Sequence, residues 1–279
     1  MSRHARPATL DEAIGLLAEG WQVLAGGTDL YPATQAQSLP GAMVDVTALP
    51  DLQGIVQTAT GLRIGAAVTW SDLAAAGLPP ACRALQQAAR QVGGWQIQNA
   101  GTLGGNLCNA SPAADGAVPL LVLGAWVELA GPQGTRRMPL ADFLQGPRRT
   151  ALRLGEVLVA LHLPAQALAG TSSFAKLGAR AHLVISVVMV AVRVQMMAGR
   201  ISDVALAVGA CAPTARRIAP LEPALIGLSP EAALEQITAQ TLAPHLAPID
   251  DIRADRGYRL EAAAELLRRS LTEAAAWQG

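Results

Sequence analysis

Short apolar runs separated by glycine and polar residues predict alternating strands and helices from the start of the chain. Apolar positions recur at helical spacing over residues 10–19, after a capping-box sequence that begins at Thr9, which predicts a helix there. The apolar runs 21–24 and 43–46 are typical of short strands. We therefore expect residues 1–50 to form a small β/α subdomain.

The next part of the chain, residues 51–168, is predicted to form a second subdomain built on antiparallel strands. Strands are expected over residues 55–57, 62–66, 126–129, 134–138 and 157–163. Helices are expected over residues 70–77, 80–92 and 112–123. The stretch 101–115, with three glycines in its first five positions, is expected to be a long loop.

A small-residue linker, residues 165–170, is the predicted boundary to a C-terminal domain over residues 169–279. Strands are expected over residues 174–177, 184–196 and 201–208, and helices over residues 214–217, 229–240 and 259–276. Three strands followed by helices predict an α+β domain with a three-stranded antiparallel sheet. The whole chain is therefore assigned to the α+β class.

Charge and hydropathy argue against nucleic-acid and membrane partners. The 279 residues carry 21 Lys and Arg against 21 Asp and Glu, so no net basic charge attracts nucleic acid or an anionic membrane. The most apolar runs, 117–127 and 183–192, are too short to span a bilayer, and the chain does not begin with an apolar targeting segment. We expect a cytoplasmic protein with no membrane span and no nucleic-acid partner.

The cysteines and histidines do not predict a metal site or a disulfide framework. Cys82, Cys108 and Cys211 are odd in number and far apart, and they share no ligand spacing with the histidines at positions 4, 162, 182 and 245. No acid–base pair or activated nucleophile is evident, so no catalytic residue is assigned. If the chain does chemistry, a cofactor must supply it.

Two glycine-rich stretches are the candidates for binding such a cofactor. The first is Ala25–Leu30, and the second runs from Gly101 to Asp115. Each places glycines beside hydroxyl and carboxylate groups, and successive N–H groups in such loops can bind a phosphate. Neither is a dinucleotide fingerprint or a P-loop sequence. One extended ligand held from two sides explains both stretches; the alternative for the second is a long turn with capping side chains.

These two stretches carry a resemblance to a known family. The sequences AGGTDL (residues 25–30) and NAGTLGGNLCNASPAAD (residues 99–115) resemble the FAD-binding loops of the medium, flavin-carrying subunit of molybdenum hydroxylases, which include xanthine and carbon monoxide dehydrogenases. The resemblance covers nearly the whole chain in length and motif order. It implies a two-subdomain FAD-binding domain of the PCMH type, followed by the C-terminal α+β domain.

The resemblance also implies a set of cofactor-binding residues. They are Gly26, Gly27, Thr28, Asp29 and Leu30 in the first stretch, Thr102, Gly104, Gly105 and Asn106 in the second, and Asp115, Leu158 and Lys176 beyond them. The glycine amides and the two threonine hydroxyls are expected to cradle the pyrophosphate of FAD, and Asp29 or Asp115 to accept from ribityl or ribose hydroxyls. Leu158 is expected beside the flavin ring and Lys176 near it; the alternative for Lys176 is an ordinary lysine on an edge strand.

By this resemblance the chain is the FAD-carrying electron-transfer subunit of a molybdenum hydroxylase. A large subunit would carry a molybdopterin-type molybdenum cofactor and oxidise the substrate, and a small subunit would pass electrons to this flavin through [2Fe-2S] clusters. The assembly is expected to be a dimer of such heterotrimers that reduces an external acceptor. Two alternatives stay open: a self-sufficient FAD oxidoreductase with its own substrate pocket, and a scaffold subunit that holds no cofactor.

Overall fold

Four β-sheets organise the part of the chain that the structure describes. The structure is a computed structural model, and it describes residues 3–35, 39–180 and 183–277. The strands are β1 (Arg3–Ala5), β2 (Gln22–Leu24), β3 (Ala42–Asp45), β4 (Ile55–Thr58), β5 (Gly61–Gly65), β6 (Trp126–Gly131), β7 (Gly134–Pro139), β8 (Leu144–Gly146), β9 (Arg149–Thr150), β10 (Val157–Pro164), β11 (Thr171–Leu177), β12 (Val188–Met197), β13 (Arg200–Gly209) and β14 (Arg216–Arg217).

Eleven α-helices lie in the same described ranges. They are α1 (Leu10–Ala18), α2 (Leu30–Ala33), α3 (Trp70–Ala75), α4 (Arg83–Gln91), α5 (Trp95–Ala100), α6 (Leu103–Asn109), α7 (Ala117–Val122), α8 (Leu140–Phe143), α9 (Pro230–Gln236), α10 (Ala239–Leu242) and α11 (Arg256–Ala276). None of these helices is long and apolar enough to cross a membrane.

A parallel three-stranded sheet, in the order β1–β3–β2, begins the fold. Thr9 caps α1, because its side-chain oxygen accepts a hydrogen bond from the N–H of Glu12 (3.3 Å). Glu12 in turn accepts one from the N–H of Ala8 (2.9 Å). The helix and the two strands predicted in this region are confirmed to within one residue at each end. The sequence does not predict β1.

An antiparallel five-stranded sheet follows, in the order β4–β5–β10–β6–β7. The central strand β10 pairs Ala160 with Gly65 on one side and with Glu128 on the other. This sheet contains the five strands predicted over residues 51–168, including both predicted hairpins. The helix α6 packs against β10 and thereby brings the second glycine-rich stretch onto the sheet.

The predicted loop over residues 101–115 is wrong in part, because its first half forms α6. The Thr102 side chain caps this helix by accepting a hydrogen bond from the N–H of Gly105 (3.0 Å). Glycine disfavours a helix by about 1 kcal/mol per residue relative to alanine, but tertiary packing outweighs that here. A Cβ on Gly104 would lie 2.7 Å from the carbonyl oxygen of Ala66, so only glycine fits.

Two other helices in this part differ from their predictions. The helix expected over residues 112–123 is α7, which begins only at Ala117 because residues 111–116 form a turn. The helix α5, which immediately precedes the second glycine-rich stretch, is not predicted by the sequence. It is only six residues long and has no side-chain cap, so its sequence carries little helical signal.

The C-terminal sheet has the order β11–β12–β13–β14 and is covered on both faces. Val188, Val190 and Val192 of β12 belong to a hydrophobic core with α11. Met189 and Ala191 between them belong to the core that also contains α4 and α7. Burial on both faces explains why β12 is an almost continuous apolar run, where a half-exposed strand would alternate.

The helix predicted over residues 214–217 is wrong. Arg216 and Arg217 instead form β14 and pair with Val208 and Ala207 of β13, which adds a two-residue strand to the three that were predicted. Four residues are too few to reveal a period, and the pairing depends on the open edge of β13. The helix predicted over residues 229–240 is split into α9 and α10, because Thr238 caps the second helix.

Candidate cofactor-binding site

One cavity brings most of the predicted cofactor-binding residues together. It has a volume of about 510 Å³ and lies between the loop after β2, the helix α6 and the first residues of β10. Cofactor sites typically enclose about 300–1,000 Å³. Ten of the twelve predicted residues line it: Gly26, Gly27, Thr28, Asp29, Leu30, Thr102, Gly104, Gly105, Asn106 and Leu158. The other two, Asp115 and Lys176, do not.

The first glycine-rich stretch is held against the segment before α6 by a backbone contact at Gly26. A Cβ built on Gly26 would lie 1.8 Å from the carbonyl oxygen of Ala100 and 2.5 Å from its carbonyl carbon. The next residue, Gly27, has a φ of 67°, which residues with a Cβ rarely adopt. The packing of the protein itself therefore requires glycine at both positions.

Residues 26–30 form a row along the cavity, and each carries a backbone N–H donor. Within the described residues none of these five amides has a hydrogen-bond acceptor. Successive N–H groups without internal partners form a concave site that suits a phosphate. The first stretch therefore fits the pyrophosphate of FAD through backbone donors.

The corresponding N–H groups of the second stretch are already used within the protein. The amide of Gly104 donates to the carbonyl oxygen of Ala66 (2.8 Å), and the amide of Gly105 donates to Oγ1 of Thr102 (3.0 Å). The expectation that glycine amides of both stretches cradle the phosphates therefore fits the first stretch only.

In the second stretch, the donors that are free to bind a ligand in the cavity belong to side chains. Oγ1 of Thr102 accepts the bond from Gly105 and keeps its own proton for donation. Oδ1 of Asn106 accepts a hydrogen bond from the N–H of Gly116 (3.2 Å), which fixes the orientation of the side-chain amide. Its NH2 group has no acceptor among the described residues. Thr102 and Asn106 can therefore each donate to a ligand opposite the first stretch.

Asp115 and Lys176 form an ion pair next to the cavity. Nζ of Lys176 lies 3.3 Å from Oδ2 of Asp115 and donates to the carbonyl oxygen of Gln91 (2.7 Å), one residue before the lining residue Val92. Burial raises the pKa of Asp115, and Lys176 opposes that shift. Oδ1 of Asp115 is buried without a partner. Lys176 lies on an edge strand, but its side chain is only 7% exposed.

The comparisons with known proteins agree with this geometry. Residues 1–166 match the family model described as the FAD binding domain in molybdopterin dehydrogenase, and residues 173–274 match the CO dehydrogenase flavoprotein C-terminal domain. The chain belongs to this family of FAD-binding dehydrogenase subunits. The family and the fold class inferred from the two glycine-rich stretches are thus confirmed.

Individual relatives cover almost the whole chain. The putative xanthine dehydrogenase FAD-binding subunit of Escherichia coli K12 is 34% identical over 98% of this chain and 96% of its own length. The carbon monoxide dehydrogenase medium chain of Hydrogenophaga pseudoflava is 29% identical over 97% of this chain and 95% of its own. Among solved structures, reconstituted CO dehydrogenase from Oligotropha carboxidovorans superposes with a TM-score of 0.92 at 28% identity, covering 99% of this chain and 98% of that one.

Some lining residues of this flavin-subunit site are missed by sequence reasoning. Trp70, Val92, Ile97 and Leu152 supply apolar walls, and nothing in the sequence separates them from ordinary core residues. Glu156 also lines the cavity. Its partner is Arg136 on a neighbouring hairpin, and a pair separated by 20 positions leaves no local pattern.

Among the cysteines and the described histidines of this family member, Cys82 and Cys211 are buried, Cys108 lines the cavity, and His4 is exposed. Burial raises the pKa of Cys82, Cys108 and Cys211 to about 12. His162 contacts Glu128 at 2.7 Å, and burial lowers its pKa. Within the described residues no three His, Cys, Asp or Glu side chains could hold a metal ion together. His182 lies outside the described residues.

Proposed function

We propose that this chain is the FAD-carrying electron-transfer subunit of a molybdenum hydroxylase. The observation that supports this most is the row of five backbone donors at residues 26–30, which faces Thr102 and Asn106 in one cavity. A bound FAD accepts electrons singly and delivers them in pairs, which suits a relay between one-electron and two-electron centres. Oxidation of the organic substrate then belongs to another subunit.

Different lining residues bind different parts of the cofactor. The amides of residues 26–30 donate to the pyrophosphate from one side, and the Thr102 hydroxyl and the Asn106 amide donate from the other. The Asp29 carboxylate accepts from ribityl or ribose hydroxyls, because it would repel the phosphates. Leu158, whose Cδ2 would lie 2.9 Å from a Cβ on Gly104, supplies apolar contact to the flavin ring.

Asp115 and Lys176 are assigned to the edge of the flavin ring. Nζ of Lys176 donates to the carbonyl oxygen of Gln91 and to Oδ2 of Asp115, which leaves its third N–H for the ring. It would then place a positive charge at the ring edge, with the unpartnered Oδ1 of Asp115 available to a ring N–H.

The proposal includes the partners and the organisation of the chain. The partners are a large subunit with a molybdopterin-type molybdenum cofactor and a small subunit with [2Fe-2S] clusters, arranged as a dimer of heterotrimers in the cytoplasm. Relatives that are named medium chains support a multi-subunit enzyme. The chain divides into FAD-binding subdomains over residues 1–50 and 51–168 and a C-terminal domain over residues 169–279. The separate sheets support this division.

The test uses the purified chain with and without its partners. The chain loaded with FAD should bleach with dithionite under anaerobic conditions, but not with purines, aldehydes or N-heterocycles. Bleaching by such a substrate with no other subunit present would favour the self-sufficient oxidoreductase. A folded chain that binds no FAD would favour the scaffold. Co-purification of molybdenum-containing and iron–sulfur-containing subunits supports the relay.

A further inference from the structure

An ion pair that the family resemblance does not include lies in the wall of the cavity. Glu156, just before β10, lines the cavity with a side chain that is 9% exposed. Arg136 of β7 holds the carboxylate with two hydrogen bonds, from Nε to Oε1 (2.7 Å) and from Nη2 to Oε2 (2.8 Å). The N–H of Arg153 donates a third bond to Oε2 (2.8 Å). The carboxylate is therefore fixed before any ligand binds.

This carboxylate keeps one free acceptor position. A carboxylate accepts about four hydrogen bonds, two on each oxygen. Because Oε2 of Glu156 receives two and Oε1 receives one, a lone pair on Oε1 stays available. The hydrogen bonds from Arg136 hold the pKa of Glu156 below its usual range, so the group is an anion at neutral pH. Such a group selects a hydrogen-bond donor and repels a phosphate.

The segment 148–156, which ends at Glu156, begins beside the last residue of α6. Its partner Arg136 also donates to the carbonyl oxygen just before Leu152 (2.7 Å), and Leu152 lines the cavity. Arg148, in the same segment, donates to the side chain of Asn109, which ends α6 and also lines the cavity.

The opposite end of the cavity lies at the first residues of α6. The backbone N–H of Trp70 donates to the carbonyl oxygen of Gly101 (3.2 Å), and the backbone N–H of Gly101 donates to the carbonyl oxygen of Ile97 (2.7 Å). Lys176 is bonded to the carbonyl oxygen just before Val92, which lines the same end. At 1.5 Å per residue, the seven-residue helix α6 separates the two ends by about 10 Å.

We propose that Oε1 of Glu156 accepts a hydrogen bond from the adenosine half of FAD, from either the adenine amino group or a ribose hydroxyl. This inference rests on the proposed function, which places the flavin ring at the end near Lys176 and leaves the other end for the adenosine half. Glu156 thereby makes the site prefer FAD to FMN, and Arg136 is its positioning residue.

The test compares the affinities of the apoprotein for FAD and for FMN. Glu156→Gln keeps the shape of the side chain and removes its charge. The dissociation constant for FAD should rise about 10- to 100-fold, whereas that for FMN, which lacks the adenosine half, should change by less than about twofold. Glu128→Gln is the matched control, because Glu128 forms a similar pair with Arg137 (2.6 Å) on the same sheet but does not line the cavity. It should change neither affinity.

The outcomes separate this inference from the proposed function. A wild-type apoprotein that binds neither flavin contradicts the proposed function. A folded Glu156→Gln protein with unchanged FAD affinity, or with equal losses for FAD and FMN, overturns the role of Glu156 alone. FAD analogues that carry hypoxanthine or a deoxyribose provide an independent test on the wild-type protein. Weaker binding of one analogue identifies the donor and supports the inference, whereas unchanged affinity for all of them overturns it.

Discussion

The variant Gly26→Ala tests whether the backbone contact beside α5 shapes the cofactor site. The added Cβ would lie 1.8 Å from the carbonyl oxygen of Ala100, whereas ordinary contacts begin at 3.4 Å. Since the Cβ is fixed to the backbone of one segment and the carbonyl is part of the backbone of the other, the two segments must separate by about 1.5 Å in a densely packed region. Overpacking of this kind costs about 1–3 kcal/mol in the free energy of unfolding.

The effect of Gly26→Ala on FAD should exceed its effect on the fold. Separation of the two segments moves the amides of residues 26–30 away from a pyrophosphate that Thr102 and Asn106 hold from the other side. Hydrogen bonds to charged groups contribute about 1.5–3 kcal/mol each, so losing two raises the dissociation constant by about two to four decades.

Calorimetric titration of the apoprotein with FAD measures this change, and thermal unfolding reports the fold. Gly77→Ala is the matched control, because a Cβ there meets nothing within 4 Å. A folded Gly26→Ala protein whose FAD affinity equals that of Gly77→Ala would refute the reasoning, because the loop contact would then not position the donors.

Three further predictions concern neighbouring residues. Gly105→Val should abolish FAD binding but keep the fold, because a Cβ there meets only Oγ1 of Thr102 (2.9 Å) while the branched side chain enters the cavity; FAD titration and circular dichroism check this. Arg136→Met should lower the Tm at neutral pH. The difference in Tm between the variant and the wild type should shrink below about pH 4. Arg136 stabilises the ionised form of Glu156, so this contribution is complete above the unfolded-state pKa and is lost as the pH falls through the lower folded-state pKa. A pH-independent difference contradicts this. Cys108, which lines the cavity and is partly exposed, should react with iodoacetamide slowly in the native protein near neutral pH and faster after denaturation, because burial raises its pKa to about 12; mass spectrometry detects the adduct.

Strands were predictable wherever their apolar pattern is local. The hairpins β4–β5 and β6–β7 each join two neighbouring strand segments through a short turn, and both form where expected. β14 could not be predicted, because Arg216 and Arg217 have no strand pattern of their own and pair only with the edge of β13. β1 likewise pairs with a strand about 40 positions away, β3, and it was missed as well.

The candidate site shows the same division between local and distant signals. The glycines at 26, 27, 104 and 105 mark the cavity correctly, but the sequence suggests that they all make room for a ligand. In the structure Gly26 makes room for the carbonyl of Ala100, and Gly104 for that of Ala66. Which N–H groups remain free for a ligand depends on these tertiary contacts, so the sequence could not separate the first stretch from the second.

The charge of the cavity wall leads to a last prediction, about salt. Among the described residues no lysine or arginine lines the cavity, whereas the carboxylates of Asp29 and Glu156 do. A dianionic pyrophosphate held there must depend on N–H and O–H dipoles at contact distance. Ions screen interactions between separated charges, with a Debye length of about 10 Å at 0.1 M salt, but they weaken short hydrogen bonds in a buried site much less. The FAD dissociation constant should therefore change by less than about threefold between roughly 0.05 and 0.5 M sodium chloride. A tenfold or larger loss of affinity would show that a cation supplies much of the binding. Repeating the titration with Lys176→Met would then show whether Lys176, the buried cation beside the wall, is that group.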